Sequence, residues 1–266
     1  MHASPPPSAA GSAHPGPAVA HDVIGKLKSG DRAQIRAALD DVRMAGHAGA
    51  SAVPAIVDLL KRGLDVPLTQ AAIETLGDVE SDAASESIAW YTQHRNVNLR
   101  RAAVQALVKT KGTNAVRAMR ASLSDGDAQV RGFAATGLGT LKARDAVPDL
   151  FVALDHKVNE AAASIGMLCS GGECEKLADQ LGHLQFVIVT SGLDQILFRP
   201  ANDVSDDTKV KVIGRVRELG TAEANKFLKE VQKKWPDTSS KRVKQSIDQA
   251  VLATSGSVGS GTAVPQ

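Results

Sequence analysis

The 266-residue sequence predicts an all-α fold, a right-handed α-solenoid of about fifteen helices. Three observations point there. Alanine occurs 41 times, and it is the best helix former because it loses no side-chain entropy and hides no polar group. Aromatic residues, which strands favour, make up only 3% of the chain. An apolar pattern also returns every 31 residues, and self-similarity at a fixed period is the signature of stacked repeats.

The bulk numbers exclude several classes. Hydrophobic residues at 43% and charged residues at 23% match soluble globular chains, so wholesale disorder is ruled out. A net charge of +2 supplies no overall field for nucleic acid or membrane. No apolar run approaches the roughly 18–20 residues of a membrane-spanning helix. The longest, Leu184 to Leu193, is broken by Gln185, Thr190, Ser191 and Gly192.

Residues 1–18 are low-complexity, with Pro5, Pro6, Pro7, Pro15 and Pro17, and residues 254–266 are rich in Gly, Ser and Thr. Neither has apolar periodicity, so both read as disordered tails around a solenoid at 19–253. Met1 runs straight into the Pro/Ser/Ala/Gly segment, so no signal peptide is visible. The cytoplasm is the expected compartment on the sequence as it begins. The same segment has the composition of linkers that follow a removed signal or lipoprotein anchor. A periplasmic or exported location is expected if Met1 is not the true start.

The elements follow in order. Residues 20–46 form a degenerate first unit around Ile35-Arg36-Ala37-Ala38, and clear repeats fill 48–181. Ala52-Val53-Pro54 opens a helix ending Val57-Asp58-Leu59-Leu60, and Ala146-Val147-Pro148 opens another, the two prolines 94 residues apart, close to three steps of 31. Proline suits a first helical turn, where its missing N–H is not needed. Single steps from Pro54 reach Ser85 and then the neighbourhood of Arg117. A second helix recurs between these sites: Leu99–Leu107 matches Val130–Leu138, and Ala71-Ala72 … Leu76-Gly77 matches Ala102-Ala103 … Leu107-Val108. Glycine near such a helix end suits a left-handed cap or a close helix contact. Asp125-Gly126-Asp127 supplies turn and N-cap chemistry before Val130. Residues 157–181 read as a fifth, shortened repeat without the turn arginine. Residues 183–253 are degenerate, with helices expected at 183–198, 205–219, 222–235 and 239–253. Arg199–Val204 breaks the alternation there, and helix pairing across 183–220 stays open.

The run Ser124-Asp125-Gly126-Asp127-Ala128-Gln129-Val130-Arg131, with Ala134-Ala135, Leu138-Gly139 and Ala146-Val147-Pro148 after it, resembles a HEAT repeat of the short, PBS-lyase-like class within the armadillo-type α-solenoids. The resemblance implies HEAT-like helix pairs and a structural arginine at Arg131, with Arg100 on the equivalent position. It implies a ladder between adjacent loops through Asp125 and Asp127. It also raises a bilin-lyase-like subunit or an accessory protein of an enzyme complex, in which Cys169 or Cys174 would be the reactive group. HEAT-like DNA glycosylases raise nucleic-acid binding as a lesser alternative.

The sharpest charge feature is the basic segment 95–120. Residues 87–124 hold Arg95, Arg100, Arg101, Lys109, Lys111, Arg117 and Arg120 and no acid. Such a patch suits phosphate, nucleic acid or an acidic protein. Arg101, Gln105 and Lys109 are spaced to share one helical stripe, expected to line the concave side. A shift of 31 sets Gln70, Glu74 and Asp78 beside them, and packed helices 8–10 Å apart let long side chains pair. Arg117 and Arg120 fall on the next first helix, facing outward, so the patch is split. The partner-binding candidates are therefore Arg95, Arg101, Gln105, Lys109, Lys111, Gln70, Glu74 and Asp78. A solvated, salt-bridged surface is the competing reading, as it is for the lysines and arginines of 201–250.

Cys169 and Cys174 flank a four-residue turn. They close into a disulfide if their Cα atoms come within about 7 Å. Free thiols are the equal alternative, and a metal or redox role a lesser one, since two thiols do not make a four-ligand zinc site. A disulfide would place the protein outside the cytoplasm. There is no glycine-rich phosphate loop, no serine elbow and no His-Glu dipeptide, so no catalytic residue, metal site or cofactor is expected. Trp90 and Tyr91 match Leu59 and Leu60 and read as core. The expected function is a non-enzymatic protein–protein interaction scaffold or adaptor, a monomer binding a protein partner of unknown identity.

Overall fold

The computed structural model describes residues 21–110 and 112–255. The tail expected at 1–18, residues 256–266 of the tail expected at 254–266, and Lys111 lie outside the described residues. Thr254 and Ser255, placed by the sequence in the C-terminal tail, instead finish the last helix.

Fifteen α-helices follow one another among the described residues: α1 (His21–Lys28), α2 (Arg32–Ala45), α3 (Val53–Arg62), α4 (Val66–Asp78), α5 (Ser85–Tyr91), α6 (Val97–Thr110), α7 (Thr113–Ser122), α8 (Ala128–Thr140), α9 (Val147–Asp155), α10 (Ala161–Leu168), α11 (Gly171–Ala178), α12 (Phe186–Phe198), α13 (Asp206–Glu218), α14 (Ala222–Lys234) and α15 (Lys241–Ser255). Three short 3-10 turns precede α3, α5 and α9. Local chemistry explains the starts. Pro54, Pro67 and Pro148 sit in first turns, and Asp31, Asp65 and Asp127 cap α2, α4 and α8 by accepting from the backbone N–H groups of Gln34, Leu68 and Val130. Such caps satisfy donors that a helix start leaves orphaned.

The helices stack in two rows. Each even-numbered helix from α2 to α12 packs on the next even one, and in the odd row α1 meets α3, α5 meets α7, and α11, α13 and α15 follow in turn. Helix pairing across 183–220, open from the sequence, continues the alternation, with α11 against α12 and α13 against α14. α15 packs on both α13 and α14, closing the end. The buried side chains form one contiguous core from Val23 to Val251. This is an all-α solenoid of HEAT/armadillo type, in which each repeat buries its apolar face against its neighbours.

Small residues set the spacing of the even row. Gly77 and Gly139 remain inside α4 and α8, so the Leu-Gly positions serve close contact, not a left-handed cap. A Cβ on Gly77 would lie 2.8 Å from the Ala106 Cα. The tightest crossing is α10 on α12. There a Cβ on Gly166 would lie 2.1 Å from the Gly192 carbonyl oxygen, and one on Gly192 would lie 2.3 Å from that of Ala162.

One core expectation is overturned. Trp90 is 77% exposed, and Tyr91 is half-buried. At the starts and in the middles of α5, α7 and α9 the inward positions are Ala84 (just before α5) and Ile88, Ala115 and Met119, Ala146 (just before α9) and Leu150, all buried, and each pair lies 31 residues from the next. In that register Trp90 matches the exposed Ala121 and Val152. The residue matching Ile56 is Ser87, and the apolar anchor falls one position later at Ile88. Leu59, the position that Trp90 matches by sequence, is buried because α3 departs from this register. Trp235 is buried, its ring 5.8 Å from that of Phe198.

Gly166→Ala and Gly192→Ala are each expected to lower unfolding free energy by about 3 kcal/mol, because backbone cannot yield as a side-chain tip can. Gly214, inside α13 with nothing within 4 Å of where a methyl group would stand, is the control: Gly214→Ala should stabilise by about 0.5–1 kcal/mol. Urea denaturation of the three variants checks both signs.

Candidate interaction surface

The ladder begins in the turns before α6 and α8. Arg100 donates from Nε and Nη2 to the two carboxylate oxygens of Asp125 at 2.8 and 2.9 Å. Its Nη1 donates to the His94 carbonyl at 3.1 Å. Arg131 repeats the second contact one step later, Nη1 reaching the Asp125 carbonyl at 2.7 Å. Each arginine thus holds the carbonyl six residues before it, and Arg100 also reaches into the next turn. Arg101 extends the ladder, donating to both oxygens of Asp127 at 2.9 and 2.6 Å. A further step from Asp125 reaches His156, and the ladder stops.

Electrostatics follow from these contacts. The Arg101 hydrogen bonds hold the Asp127 carboxyl down to about 2 against partial desolvation, helped by the Val130 N–H that the same carboxylate caps. Burial pulls the Asp125 carboxyl up, but the Arg100 contact and the Asp127 N–H leave it below the usual carboxylate range. Asp78 behaves alike: desolvation raises it, and its cationic partners Lys109 and Arg43 bring it down.

The groove stripe is likewise cross-paired. Lys109 pairs with Asp78. Arg43, one helix earlier, reaches Asp78 at 2.5 Å and Glu74 at 3.4 Å. Gln70 donates to Glu74 at 2.8 Å. The structure therefore brings Gln70, Glu74, Asp78 and Lys109 together, and sends Arg101 away from them to Asp127. Arg95 and Gln105 remain exposed. Arg43 was missed, although Glu74 stands one step of 31 from it. Farther along, Lys211 pairs with Glu175 at 2.8 Å, Arg215 with Asp179 at 2.7 Å and Arg242 with Asp207 at 2.6 Å. Lys209 departs from the solvated face expected of its neighbours. It is buried, donates to the Arg199 carbonyl and lies 5.8 Å from the Trp235 ring centre. That burial pushes its ammonium below the usual lysine range.

Cys169 and Cys174 form a disulfide, with Cα atoms 5.2 Å apart, and both residues are fully buried. The chain therefore has no free cysteine, and neither sulfur is a thiol nucleophile in this state. The carbonyls ending α10 are taken by two arginines that sequence reasoning missed. Arg144 donates to Leu168 at 2.8 Å, and Arg199 to Gly166 and Cys169 at 3.2 and 2.6 Å. Cations suit a helix C-terminus. No signal marked either arginine, since they arrive from residues 24 to 33 positions away.

Among the described residues no group of three or more His, Cys, Asp or Glu could hold a metal ion, and no helix is long and apolar enough to cross a membrane.

No family model matches the chain, and no curated protein does. Solved structures with a related helical arrangement include the complex of CpcE and CpcF of phycocyanin lyase from Nostoc sp. PCC7120, at 18% identity over 94% of this chain and 100% of that one, TM-score 0.48. Human deoxyhypusine hydroxylase in complex with glycerol matches at 14% identity over 88% and 95%, TM-score 0.39. A designed armadillo repeat protein matches at 13% over 87% and 98%, TM-score 0.43.

Two outcomes follow. Asp127→Asn keeps a capping oxygen but removes the charge facing Arg101. A carboxyl depressed to about 2 adds stability that is complete above its unfolded value near 4 and fades as pH falls through 2. The variant should melt below the parent at pH 7, and the gap should close between about pH 4 and 2 in circular-dichroism melts. Cys169→Ser with Cys174→Ser should cost about 2 kcal/mol in urea, the loop-entropy value of so short a bridge. Alkylation of the unreduced parent should add no mass.

Proposed function

We propose that the protein is a non-enzymatic adaptor that holds a protein partner on its solenoid surface. The observation that supports this most is the unbroken stack, with one core from Val23 to Val251 and ion pairs between successive helices of a row. Stacking of this kind yields a long, stiff surface whose period is set by packing and not by chemistry. Fold alone does not choose a function, so the weight falls on what the side chains leave available. The groove cations Lys109 and Arg101 already face Asp78 and Asp127, which speaks against a phosphate track there. The disulfide occupies the cysteines that chromophore attachment would use. It also favours an oxidising compartment, where such bonds persist.

Crosslinking of the intact protein in its native extract, read by mass spectrometry, is expected to return a reproducible protein partner. Recovery of no partner together with DNA or RNA retardation that falls steeply with salt would replace this reading with nucleic-acid binding.

A further inference from the structure

The groove stripe neutralises itself, whereas the odd-helix face around α5 and α7 does so only in part. Trp90 stands there at a position where the next two repeats carry Ala121 and Val152. A hollow of about 400 Å³ bordered by Trp90 is lined by Val57, Leu60, Lys61, Glu86, Ser87 and Tyr91. A second of about 290 Å³, also bordered by Trp90, runs between α5 and α7 to Arg117. Arg117 also lines a third, of about 640 Å³, between α7 and the turn after α8, whose other cations are Arg120, Lys142 and Arg144. The three hollows adjoin one another through shared lining residues: Trp90 and Glu86 border the first two, and Arg117 the last two.

Charge is unevenly satisfied along this track. Arg120 turns to Asp149 at 2.7 Å and Arg144 to Glu173 at 3.6 Å. Arg117 bonds only the neutral Asn114 side chain, at 2.6 Å. Among the described residues neither Arg117 nor Lys142 has a carboxylate within ion-pair distance. The acids lining the hollows are Glu86 and Asp145. One end of the track thus combines Trp90, Tyr91, Val57 and Leu60 with the charged Lys61 and Glu86, and the other carries two uncompensated cations.

We propose that this face docks an extended acidic segment of a partner protein, with a bulky apolar residue of that segment against Trp90 and its carboxylates at Arg117 and Lys142. The proposal rests on the adaptor reading and names the face and the partner's chemistry. Exposed tryptophan and arginine are the side chains that dominate binding energy at protein interfaces, and matched charge sets register and on-rate. Helices 8–10 Å apart make the path from α3 to the turn after α8 about 25 Å, which roughly eight extended residues at 3.3 Å each would span. The apolar half fits a peptide better than a polyphosphate backbone.

The test is selection of a random octapeptide display library on the immobilised full chain, beside Trp90→Ala and the double variant Arg117→Glu/Lys142→Glu. All three side chains lie on the surface, and circular dichroism checks that the variants remain folded. The expected consensus is acid-rich with one aromatic or large aliphatic residue. Synthetic consensus peptide should bind about thirty-fold more weakly to Trp90→Ala, the size of an aromatic hot spot, and lose binding to the double variant. Enriched peptides that lack acids, or that bind all three proteins equally, would overturn the assignment of this face. If they instead fail on Gln105→Glu, an exposed position of the groove stripe, the adaptor reading stands and the groove is the docking face. Absence of any enrichment overturns the proposal. Combined with a blank crosslinking result, it removes the adaptor reading too. Oligonucleotide binding that needs Arg117 and Lys142 but not Trp90 would also overturn it.

Discussion

Everything in this molecule depends on how closely the even helices approach. Gly77 against Ala106, Gly139 against Ser164 and Gly166 against Gly192 leave no room for another methyl group. That contact distance decides the composition. Bulky anchors would force the helices apart and break the 31-residue step, so alanine and glycine fill the seam and leucine, isoleucine and valine fill the space between rows. It also decides where charge can go. Helices this close bring side chains 31 to 35 residues apart within reach of one another, as Lys109 and Asp78 or Arg43 and Asp78 show.

Those ion pairs do not carry the stability. Pairs at the surface contribute about 0–1 kcal/mol each, far less than the contiguous apolar core. Their effect is on register and on availability. Arg100 and Arg101 hold the turn before α8 at a set height against α6, and in doing so they remove themselves from the pool of free cations. A basic stretch in the sequence is therefore a poor guide to a basic surface. Of the seven cations of 87–124, Arg100, Arg101, Lys109 and Arg120 are met by Asp125, Asp127, Asp78 and Asp149, three of which lie beyond the stretch and one before it.

The even row was legible because its spacing is a property of small residues, and small residues repeat visibly: Ala71-Ala72, Ala102-Ala103, Ala134-Ala135. The ladder was legible for the same reason, since Arg100 and Arg131 keep one offset. The odd row was harder. Its helices are short, α5 having only seven residues, and a one-residue shift in the apolar anchor turns a side chain by about 100° on a helix. That shift moved Trp90 from the expected core to the surface. Arg144 and Arg199 were invisible for a different reason. Their partners are main-chain carbonyls, which every residue possesses, so no pairing pattern in the sequence marks them.

The two arginines at the end of α10 have a mechanical consequence. In a linear stack, disturbance at one end travels only as far as the neighbour contacts carry it, and terminal helices open first. At α10 the neighbours are joined by more than packing. Arg144 arrives from the side of α9, Arg199 from the far end of α12, and the disulfide ties the same turn to α11. Fraying that starts at α15 or at α1 meets this junction before it can cross the molecule. The solenoid is thus two arms with a fastened middle, and loosening of one arm leaves the other arm's surface in place.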